Sequence, residues 1–389
     1  MNIAWLFNKS LYSSIGGTER TTMLAIEMLK HLGHKSYAFI IVKCNGLFSY
    51  EDKPIDDLYA FLSTNNIDIV VNQIGYSTEL LTPFLINGGK RWQEEGGKII
   101  TYMHFDPKMP SDLEYFLSIR KKRIKDYIII LKLFILQYYY NVKERQKYAE
   151  IYKYLYDNSD MYVTLSHTHF PYLKSLLELK SYDKLYAINN TLTFDDIAST
   201  DILDKKDKTI LLVARLSEIH KRISIALKVW SNISRKNEYK DWNFKIVGDG
   251  ADMQRYKNYV QKHAIDRITF EGEQDPEPYY RDASIFLMTS PAEGWGLTIT
   301  ESMQRGVVPV IMNSSPVFSE IIEDGKSGIL VEDNNLKEFQ NAIERLMNND
   351  DLRISLGKNG LQRAKLFNKE STTKKWEELL KKISADKSN

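Results

Sequence analysis

Apolar runs of strand length alternate with helix-period segments through most of this chain. In the N-terminal half the apolar runs are Ile3–Phe7, Tyr37–Val42, Ile67–Val71, Ile99–Met103, Met161–Leu165 and Leu185–Ile188. In the C-terminal half they are Thr209–Ala214, Phe244–Val247, Ile268–Phe270, Ile285–Met288, Val307–Met312 and Ile329–Val331. Alternation of this kind predicts parallel sheets covered by helices. Because each half of the chain contains its own series of alternating strands and helices, we expect two doubly wound α/β domains.

A polar stretch separates the two series of strands. Residues 195–208 carry a cluster of acidic and basic side chains and are the best candidate for a linker. Length agrees with this division, since a chain of 389 residues usually forms two domains, each large enough for its own core. We therefore place the domain boundary between residues 195 and 196.

The segment from Ser290 to Gly306 carries the most informative motif of the chain. It places Glu293 and Glu301 eight positions apart, with a glycine-containing turn after the first glutamate and an amphipathic helix beneath the second. Unpaired turn amides and the positive end of a helix dipole favour phosphate oxygens and sugar hydroxyls. The layout therefore suits a pocket for a nucleotide sugar. The alternative is a helix start with a chance pair of surface glutamates.

Further candidate chemistry follows other strand ends. Arg215 comes directly after an apolar run, and Lys221 lies six positions later. The loop Gly16–Gly17 follows the first predicted strand. Because ligands of open α/β sheets bind beyond the carboxyl ends of strands, we expect these segments and the Glu293 turn to converge on one interdomain cleft. Alternatively, the two cations pair with a local acid such as Glu218 on a surface loop.

Several motifs occur together in a fixed order. They are Gly16-Gly17-Thr18-Glu19-Arg20, the strand that ends in Arg215 with Lys221 after it, Ile246-Val-Gly-Asp-Gly250, Ile268-Thr-Phe-Glu-Gly272, and Glu-x7-Glu followed by Gly306-Val-Val-Pro-Val-Ile. In this order they resemble the retaining glycosyltransferases of family four, also described as glycosyl transferases group 1. The resemblance covers roughly residues 2–45, 95–105 and 208–332. It implies the GT-B fold, in which two Rossmann-like doubly wound domains face each other across a cleft.

The resemblance also assigns a role to each predicted domain. Residues 1–195 would form the domain on the acceptor side, and residues 196–370 the domain that binds the nucleotide-sugar donor. The final segment, residues 371–389, resembles the helical tail that returns to the N-terminal domain in GT-B proteins.

The resemblance implies four catalytic residues. Arg215 and Lys221 would stabilise the charge that builds up on the departing diphosphate, more in the transition state than in the ground state. Glu293 would bind the transferred sugar, and a neutral His104, at the end of a predicted strand, would face it. No residue is evident as a covalent nucleophile, and Glu293 is the only candidate nearby. We therefore expect displacement on one face with retention, in which the leaving phosphate helps to deprotonate the acceptor hydroxyl.

Other residues are candidates for donor binding. They are Gly16, Gly17, Gly294, Trp295, Gly296, Leu297, Glu301 and Gln274. The main chain at the glycines can approach a diphosphate closely, since no Cβ intervenes. By resemblance, Glu301 would bind the ribose hydroxyls and Gln274 would lie near the nucleobase. The side chain of Trp295 is expected to pack structurally, and Arg222 is expected to be solvated rather than to provide a third phosphate contact.

No cofactor is expected besides the nucleotide sugar as substrate, and no metal site. His167 and His169 form a His-x-His pair without an evident third ligand, and no persuasive Asp-x-Asp site is found. Neutralisation of the phosphates by basic side chains and helix ends would make a divalent ion unnecessary. A dinucleotide-binding dehydrogenase is disfavoured, because no Gly-x-Gly-x-x-Gly follows the first predicted strand.

Composition indicates an ordinary soluble globular protein, with 43% hydrophobic and 27% charged residues. The single cysteine, Cys44, rules out an internal disulfide framework, so a reducing compartment is the simplest setting. The segment from Asn2 to Phe7 is too short for a signal peptide and is predicted as a first strand. We expect a cytoplasmic protein with no nucleic-acid partner.

The segment 119–147 departs from the rest of the chain. Between Arg120 and Lys147 there are nine Lys or Arg residues against two acidic residues, whereas the whole chain carries a net charge of +2. The apolar run that follows the basic cluster is shorter than the roughly 20 residues needed to span a bilayer. A basic flank and a short aromatic and apolar run favour a helix lying on an anionic membrane surface. The alternative is a helix buried in the N-terminal domain beside a solvated basic cluster.

Together these patterns favour a metal-independent, retaining transferase, peripheral on the inner face of the cytoplasmic membrane. It would move a hexose or N-acetylhexosamine from a nucleotide sugar, with UDP-sugar the favoured donor, to a saccharide or lipid-linked acceptor in surface glycan biosynthesis. One alternative is a GT-B disaccharide phosphorylase. Another is a catalytically silent nucleotide-sugar-binding subunit of a glycan-assembly complex.

Overall fold

A computed structural model describes residues 1–7, 17–44, 47–108 and 126–385, with the side chains of 35–44, 47 and 126–141 outside that description. The chain divides into two compact units. The first comprises Met1–Thr191 and Lys369–Asn389, and the second comprises Leu192–Asn368.

The first unit is built on an eight-stranded sheet. Its strands are β1 Asn2–Phe7, β2 Lys35–Cys44, β3 Leu47–Tyr50, β4 Lys53–Pro54, β5 Ile69–Asn72, β6 Lys98–Met103, β7 Met161–Thr164 and β8 Leu185–Ala187. They are ordered β4-β3-β2-β1-β5-β6-β7-β8, and the pairs from β2 through β8 are parallel. At the edge of the sheet, β3 pairs antiparallel with both β2 and β4. The strand order reverses at β1, which lies between β2 and β5.

Helices cover this sheet. They are α1 Gly17–His31, α2 Leu58–Thr64, α3 Leu81–Phe84, α4 Lys90–Glu94, α5 Asp126–Asp157 and α6 Phe170–Leu177, with a π-helical turn at Leu85–Gly89. The core between sheet and helices includes Phe84 and Trp92, whose rings meet edge to face at 6.2 Å. Burial of such large apolar side chains is the main source of stability in a layered α/β unit.

The second unit contains a six-stranded, fully parallel sheet. Its strands are β9 Thr209–Val213, β10 Asn243–Val247, β11 Ile268–Gly272, β12 Ile285–Met288, β13 Val308–Asn313 and β14 Ile329–Glu332. The order β11-β10-β9-β12-β13-β14 places β9 directly beside β12. The strand order therefore reverses at β9, and the carboxyl ends of β9 and β12 lie next to each other.

The helices of the second unit follow the same alternation. They are α7 Glu218–Lys221, α8 Ile223–Ile233, α9 Met253–Lys262, α10 Glu277–Asp282, α11 Leu297–Gln304, α12 Phe318–Ile321, α13 Leu336–Met347 and α14 Asp350–Ala364. After them, the C-terminal helix α15, Lys369–Ala385, belongs to the first unit. There the Trp376 ring lies 5.7 Å from Trp5 and 5.8 Å from Tyr102, centroid to centroid.

Each predicted apolar run overlaps a strand, but two elements depart from the sequence prediction. The edge hairpin β3–β4 was not predicted. The segment 195–208 is not a loose linker, because it packs on the second unit. Arg305 donates to Asp196 at 2.8 Å, and Leu203 is buried within a 3₁₀-helical turn, Thr200–Lys205.

The described parts of the chain contain no helix long and apolar enough to cross a membrane. The basic cluster from Arg120 to Lys125 lies outside the described residues, and α5 begins at the next residue, Asp126. The predicted interaction of segment 119–147 with a membrane surface stays a prediction.

Candidate functional site

Arg215 lies just beyond the carboxyl end of β9, in a loop that the Gly-Asp-Gly turn supports. Ala214 N donates to Val247 O at 3.0 Å, and Leu216 N donates to Asp249 O at 2.8 Å. Gly248 has φ +128°, and a Cβ added there would lie 2.0 Å from Ala214 O. Only glycine fits this close approach of two main chains. The turn thereby holds the main chain of Arg215, whose side chain is exposed.

Lys221 and Glu293 form an ion pair between the loops that follow β9 and β12. Lys221 Nζ lies 2.5 Å from Glu293 Oε1, and their side chains are 24% and 15% exposed. The pairing of β9 with β12 brings these loops together. The sequence predicted both residues as part of one site, but it did not indicate that they contact each other.

Glu218 is not the partner of either candidate cation among the described residues. Its carboxylate accepts from Ser224 N at 3.1 Å, from Ser224 Oγ at 2.5 Å and from Tyr256 Oη at 2.8 Å. Burial, and then the nearby carboxylate of Glu218, raise the pKa of the Tyr256 phenol. Glu218 therefore ties α7 to α8 and α9, and the alternative in which it neutralises Lys221 or Arg215 is wrong.

His220 is a neighbour of the site that the sequence prediction missed. Its Nδ1 lies 2.8 Å from Ser217 Oγ. Burial lowers the pKa of His220, and the positive charges of Arg215 and Lys221 lower it further, against an opposing effect of Glu293. The charges of all three predicted residues therefore act on His220. Its position directly before Lys221 in the sequence could have identified it as a neighbour of the site.

The glycine turn leads from Glu293 into α11. Gly296 precedes the helix with φ +97°, and a Cβ there would lie 2.9 Å from Ile299 Cδ1. No side chain caps the start of α11, so its first amides lack partners within the helix and present partial positive charge.

Trp295 is buried, with its ring edge to face against Phe367 at 5.3 Å. Leu297 is the first residue of the helix and is partly exposed.

Glu301 and Gln274 occupy different surroundings from the Lys221–Glu293 pair. Glu301 is 2% exposed, in the second turn of α11, and accepts from Tyr280 Oη at 3.1 Å. Gln274 is exposed in the loop after β11, and β10 separates β11 from β9. The structure thus brings Lys221 and Glu293 into contact and places Gln274 two strands away from β9.

In the first unit, His104 lies directly after β6 and contacts a residue at the end of the neighbouring strand β5. His104 Nε2 is 2.6 Å from Gln73 Oε1, which also lies 3.0 Å from Thr22 Oγ1 on α1. Burial lowers the pKa of His104 to about 3, against an opposing effect of the Glu19 carboxylate, so the imidazole is neutral near pH 7. Gln73 was not predicted as a site residue. Its position as a polar residue directly after a buried strand could have identified it.

A small cavity lies beside His104 and Trp5. His104 Nδ1, Gln73 Nε2 and Trp5 Nε1 are covered and have no hydrogen-bond partner in the described parts of the chain. The cavity beside them is bounded by Trp5, Thr22, Tyr102, His104, Asn190 and Trp376. Gly17 is the first residue of α1, whereas Gly16 lies outside the described residues.

The sequence predicts a site without a metal ion. Among the described residues, no group of three or more His, Cys, Asp or Glu side chains is arranged to hold a metal ion. His167 is exposed and His169 is buried. The expectation that the reaction needs no metal stays a prediction.

Comparison with known proteins finds a family match in the second unit. Residues 194–363 match the model of the family described as glycosyl transferases group 1. This part of the chain is similar to the glycosyl transferases group 1 family. The resemblance predicted from the motifs is thereby confirmed, and the matched residues include Arg215, Lys221, Glu293 and Glu301.

Two relatives agree with this assignment. An uncharacterized glycosyltransferase of Haemophilus influenzae is 32% identical over 177 residues, which are 45% of this chain and 49% of the relative. A poly(ribitol-phosphate) alpha-N-acetylglucosaminyltransferase of Staphylococcus aureus is 26% identical over 254 residues, which are 61% of this chain and 51% of that protein. The chain thus spans about half the length of these relatives.

A solved structure shows the fold over the whole chain. The Anabaena protein HepE in complex with UDP has a TM-score of 0.70 at 14% identity, covering 98% of this chain and 100% of HepE. The fold is GT-B, with two Rossmann-like units, as the sequence predicted.

Proposed function

We propose that this chain transfers a hexose or N-acetylhexosamine from a UDP-sugar to a saccharide or lipid-linked acceptor in the biosynthesis of a surface glycan. The observation that carries the proposal is the contact between Lys221 and Glu293 at the carboxyl edge of the second sheet, with Arg215 in the same loop region. This edge lies at the strand-order reversal of an open α/β sheet, which is where such sheets bind ligands.

The proposed chemistry uses the two cations on the leaving group. As the bond between the anomeric carbon and the phosphate oxygen breaks, negative charge grows on the diphosphate. Arg215 offers a planar fork for phosphate oxygens and Lys221 a compact point charge. Because this charge is larger in the transition state than in the bound donor, these contacts lower the barrier rather than only tighten binding.

Glu293 has two functions in this proposal. Without substrate it holds Lys221 at 2.5 Å, so the ammonium is oriented before the donor arrives. With the donor bound, its carboxylate accepts hydrogen bonds from sugar hydroxyls. The acceptor oxygen attacks on the face that the diphosphate leaves, its proton passes to the departing phosphate oxygen, and the configuration is retained without a metal ion.

Donor binding uses the beginning of α11. The amides from Gly294 to Leu297 supply hydrogen-bond donors, and the start of α11 supplies the positive end of a helix dipole. Glu301 binds the ribose hydroxyls, with Tyr280 holding one carboxylate oxygen in place. His104 of the first unit is neutral because of its burial, and its predicted role towards the sugar would add no charge.

The relatives support UDP and a surface glycan. HepE is solved with UDP-glucose, and the Staphylococcus aureus relative is named for transfer of N-acetylglucosamine to poly(ribitol-phosphate). A further relative, AmsD of Erwinia amylovora, is an amylovoran biosynthesis glycosyltransferase. These names favour polysaccharide assembly over the disaccharide phosphorylase alternative.

The test is a thermal-shift screen followed by turnover. UDP, GDP and ADP are titrated against the protein, since a ligand at 100 times its Kd stabilises the native state by about 2.7 kcal/mol. We expect UDP to give the largest shift, and UDP-sugars to be consumed when saccharide acceptors are added. Phosphate-dependent release of a sugar-1-phosphate without any nucleotide would instead identify a phosphorylase. UDP binding without hydrolysis or transfer across a broad acceptor panel would identify a silent subunit.

A further inference from the structure

Arg222 follows Lys221 at the junction between α7 and α8, and its backbone is left-handed. It has φ 45° and ψ 42°, a conformation that is costly for any residue with a Cβ. Glycine would occupy this position without that cost. The arginine side chain must therefore provide interactions that offset an unfavourable main chain.

Those interactions use every donor of the guanidinium, which has five N–H groups. Arg222 Nε donates to Thr289 O at 2.8 Å, and Nη2 donates to Ser290 O at 3.2 Å and to Asp333 Oδ1 at 2.5 Å. Arg222 Nη1 donates to Asp333 Oδ2 at 3.1 Å and to Asn334 Oδ1 at 3.3 Å. The side chain is only 12% exposed, so the expectation of a solvated Arg222 is wrong. No donor remains for a phosphate.

These bonds join three loops at the carboxyl edge of the second sheet. Thr289 and Ser290 directly follow β12, and Asp333 and Asn334 directly follow β14. A reciprocal bond completes the connection, since Thr289 Oγ1 donates to Lys221 O at 2.8 Å. The main chain at Lys221 is therefore fixed to a point four residues before Glu293.

We propose that Arg222 is a positioning residue, which holds Lys221 in register with Glu293 through the end of β12 and Asp333. The inference rests on the proposed function, because it concerns the orientation of the cation that acts on the leaving diphosphate. Arg222 itself does not contact the donor. A residue of this kind affects the transition state through Lys221, whereas binding of the nucleotide is left largely intact.

The informative variant is Arg222→Gly, which removes the five bonds and relieves the left-handed backbone. We expect kcat to fall by about 100-fold, since a displacement near 1 Å at a reacting group costs about this factor. The KM for the UDP-sugar and the affinity for UDP stay near those of the wild type. Asp333→Asn leaves the side-chain shape but removes the charge, and we expect a smaller loss of kcat in the same direction.

The chain offers a matched control in Arg267. This residue also has a left-handed backbone, with φ 56°, and also binds main-chain carbonyls, at Ser234, Trp242 and Tyr239. It precedes β11 and so lies at the opposite, amino-terminal edge of the same sheet. Arg267→Gly removes three guanidinium bonds to main-chain carbonyls, and we expect it to leave kcat unchanged.

A second readout does not depend on transfer activity. Modification of Lys221 by an amine-reactive reagent is followed by mass spectrometry, because an ammonium held by a carboxylate reacts slowly. We expect faster modification in Arg222→Gly and Asp333→Asn than in the wild type and in Arg267→Gly. Unchanged reactivity of Lys221 in the folded Arg222 and Asp333 variants would overturn the inference, as would a rise in KM with an unchanged kcat. If the wild-type protein transfers no sugar and Lys221 is still modified faster in Arg222→Gly and Asp333→Asn than in the wild type, the positioning role is supported and the proposed function is rejected.

Discussion

Removal of the Lys221 ammonium is the most direct test of the proposed chemistry. Lys221→Met keeps the length of the side chain and removes the charge that lies 2.5 Å from Glu293. Loss of one donor aimed at charge that develops in the transition state costs about 3–4 kcal/mol, or roughly 100- to 1,000-fold in kcat. The affinity for UDP should change much less, because most of this interaction arises as the bond breaks.

The same substitution leaves Glu293 without its cation. Because the two side chains are 24% and 15% exposed, the pair is neither fully buried nor a surface pair. We expect the free energy of unfolding to fall by about 1–2 kcal/mol, between the values for exposed and buried pairs. Urea unfolding measures this loss. Adding Glu293→Gln removes the stranded charge, so the double variant should regain stability but not turnover.

The control is Lys228→Met, at an exposed lysine of α8 outside the site. It should change neither kcat nor the unfolding midpoint. Turnover of Lys221→Met within a factor of about ten of the wild type would refute the role of this ammonium in the transition state. A double variant as unstable as the single one would show that the ion pair is not the source of the stability loss.

Three further predictions concern other parts of the chain. Glu301→Gln should weaken UDP binding about tenfold, the effect of losing a charged acceptor, and unchanged affinity by calorimetry would contradict the ribose role. Because the pKa of His104 is about 3 in the folded chain and 6.5 when unfolded, its contribution to stability is present above pH 6.5 and is lost as the pH falls towards 3. The free energy of unfolding of His104→Gln should therefore fall less between pH 7 and pH 5 than that of the wild type, by up to about 2 kcal/mol, and identical slopes would count against a neutral buried imidazole. Neutralising Arg120 to Lys125 should reduce binding to anionic vesicles, most clearly at low salt, whereas equal sedimentation with the vesicles would favour the buried-helix alternative.

The parallel strands could be predicted because strands buried on both faces are continuous apolar runs. The run Ile285–Met288, for example, is fully buried in the structure. The hairpin Leu47–Tyr50 with Lys53–Pro54 could not be predicted, because such short edge strands carry no apolar periodicity. Local pattern thus identifies central strands and misses edge elements.

The candidate site was predictable as a set of residues but not as a set of contacts. Lys221 and Glu293 were found because each follows a strand, whereas their ion pair depends on β9 lying beside β12. Arg222 looked solvated because its main partner, Asp333, is 111 positions away. Nothing local to Arg222 in the sequence reveals such a partner.

The polarity of the second sheet has a practical consequence for experiments on surfaces. Arg215, Lys221 and Glu293 all extend from the ends where the strands finish, whereas the exposed His263 lies where β11 is about to start. A tether attached through a cysteine introduced at residue 263 would anchor the protein by its far rim. Immobilised in this way, the second unit would present the rim proposed to bind the nucleotide to the flowing solution, so that donor capture on a sensor chip can be measured.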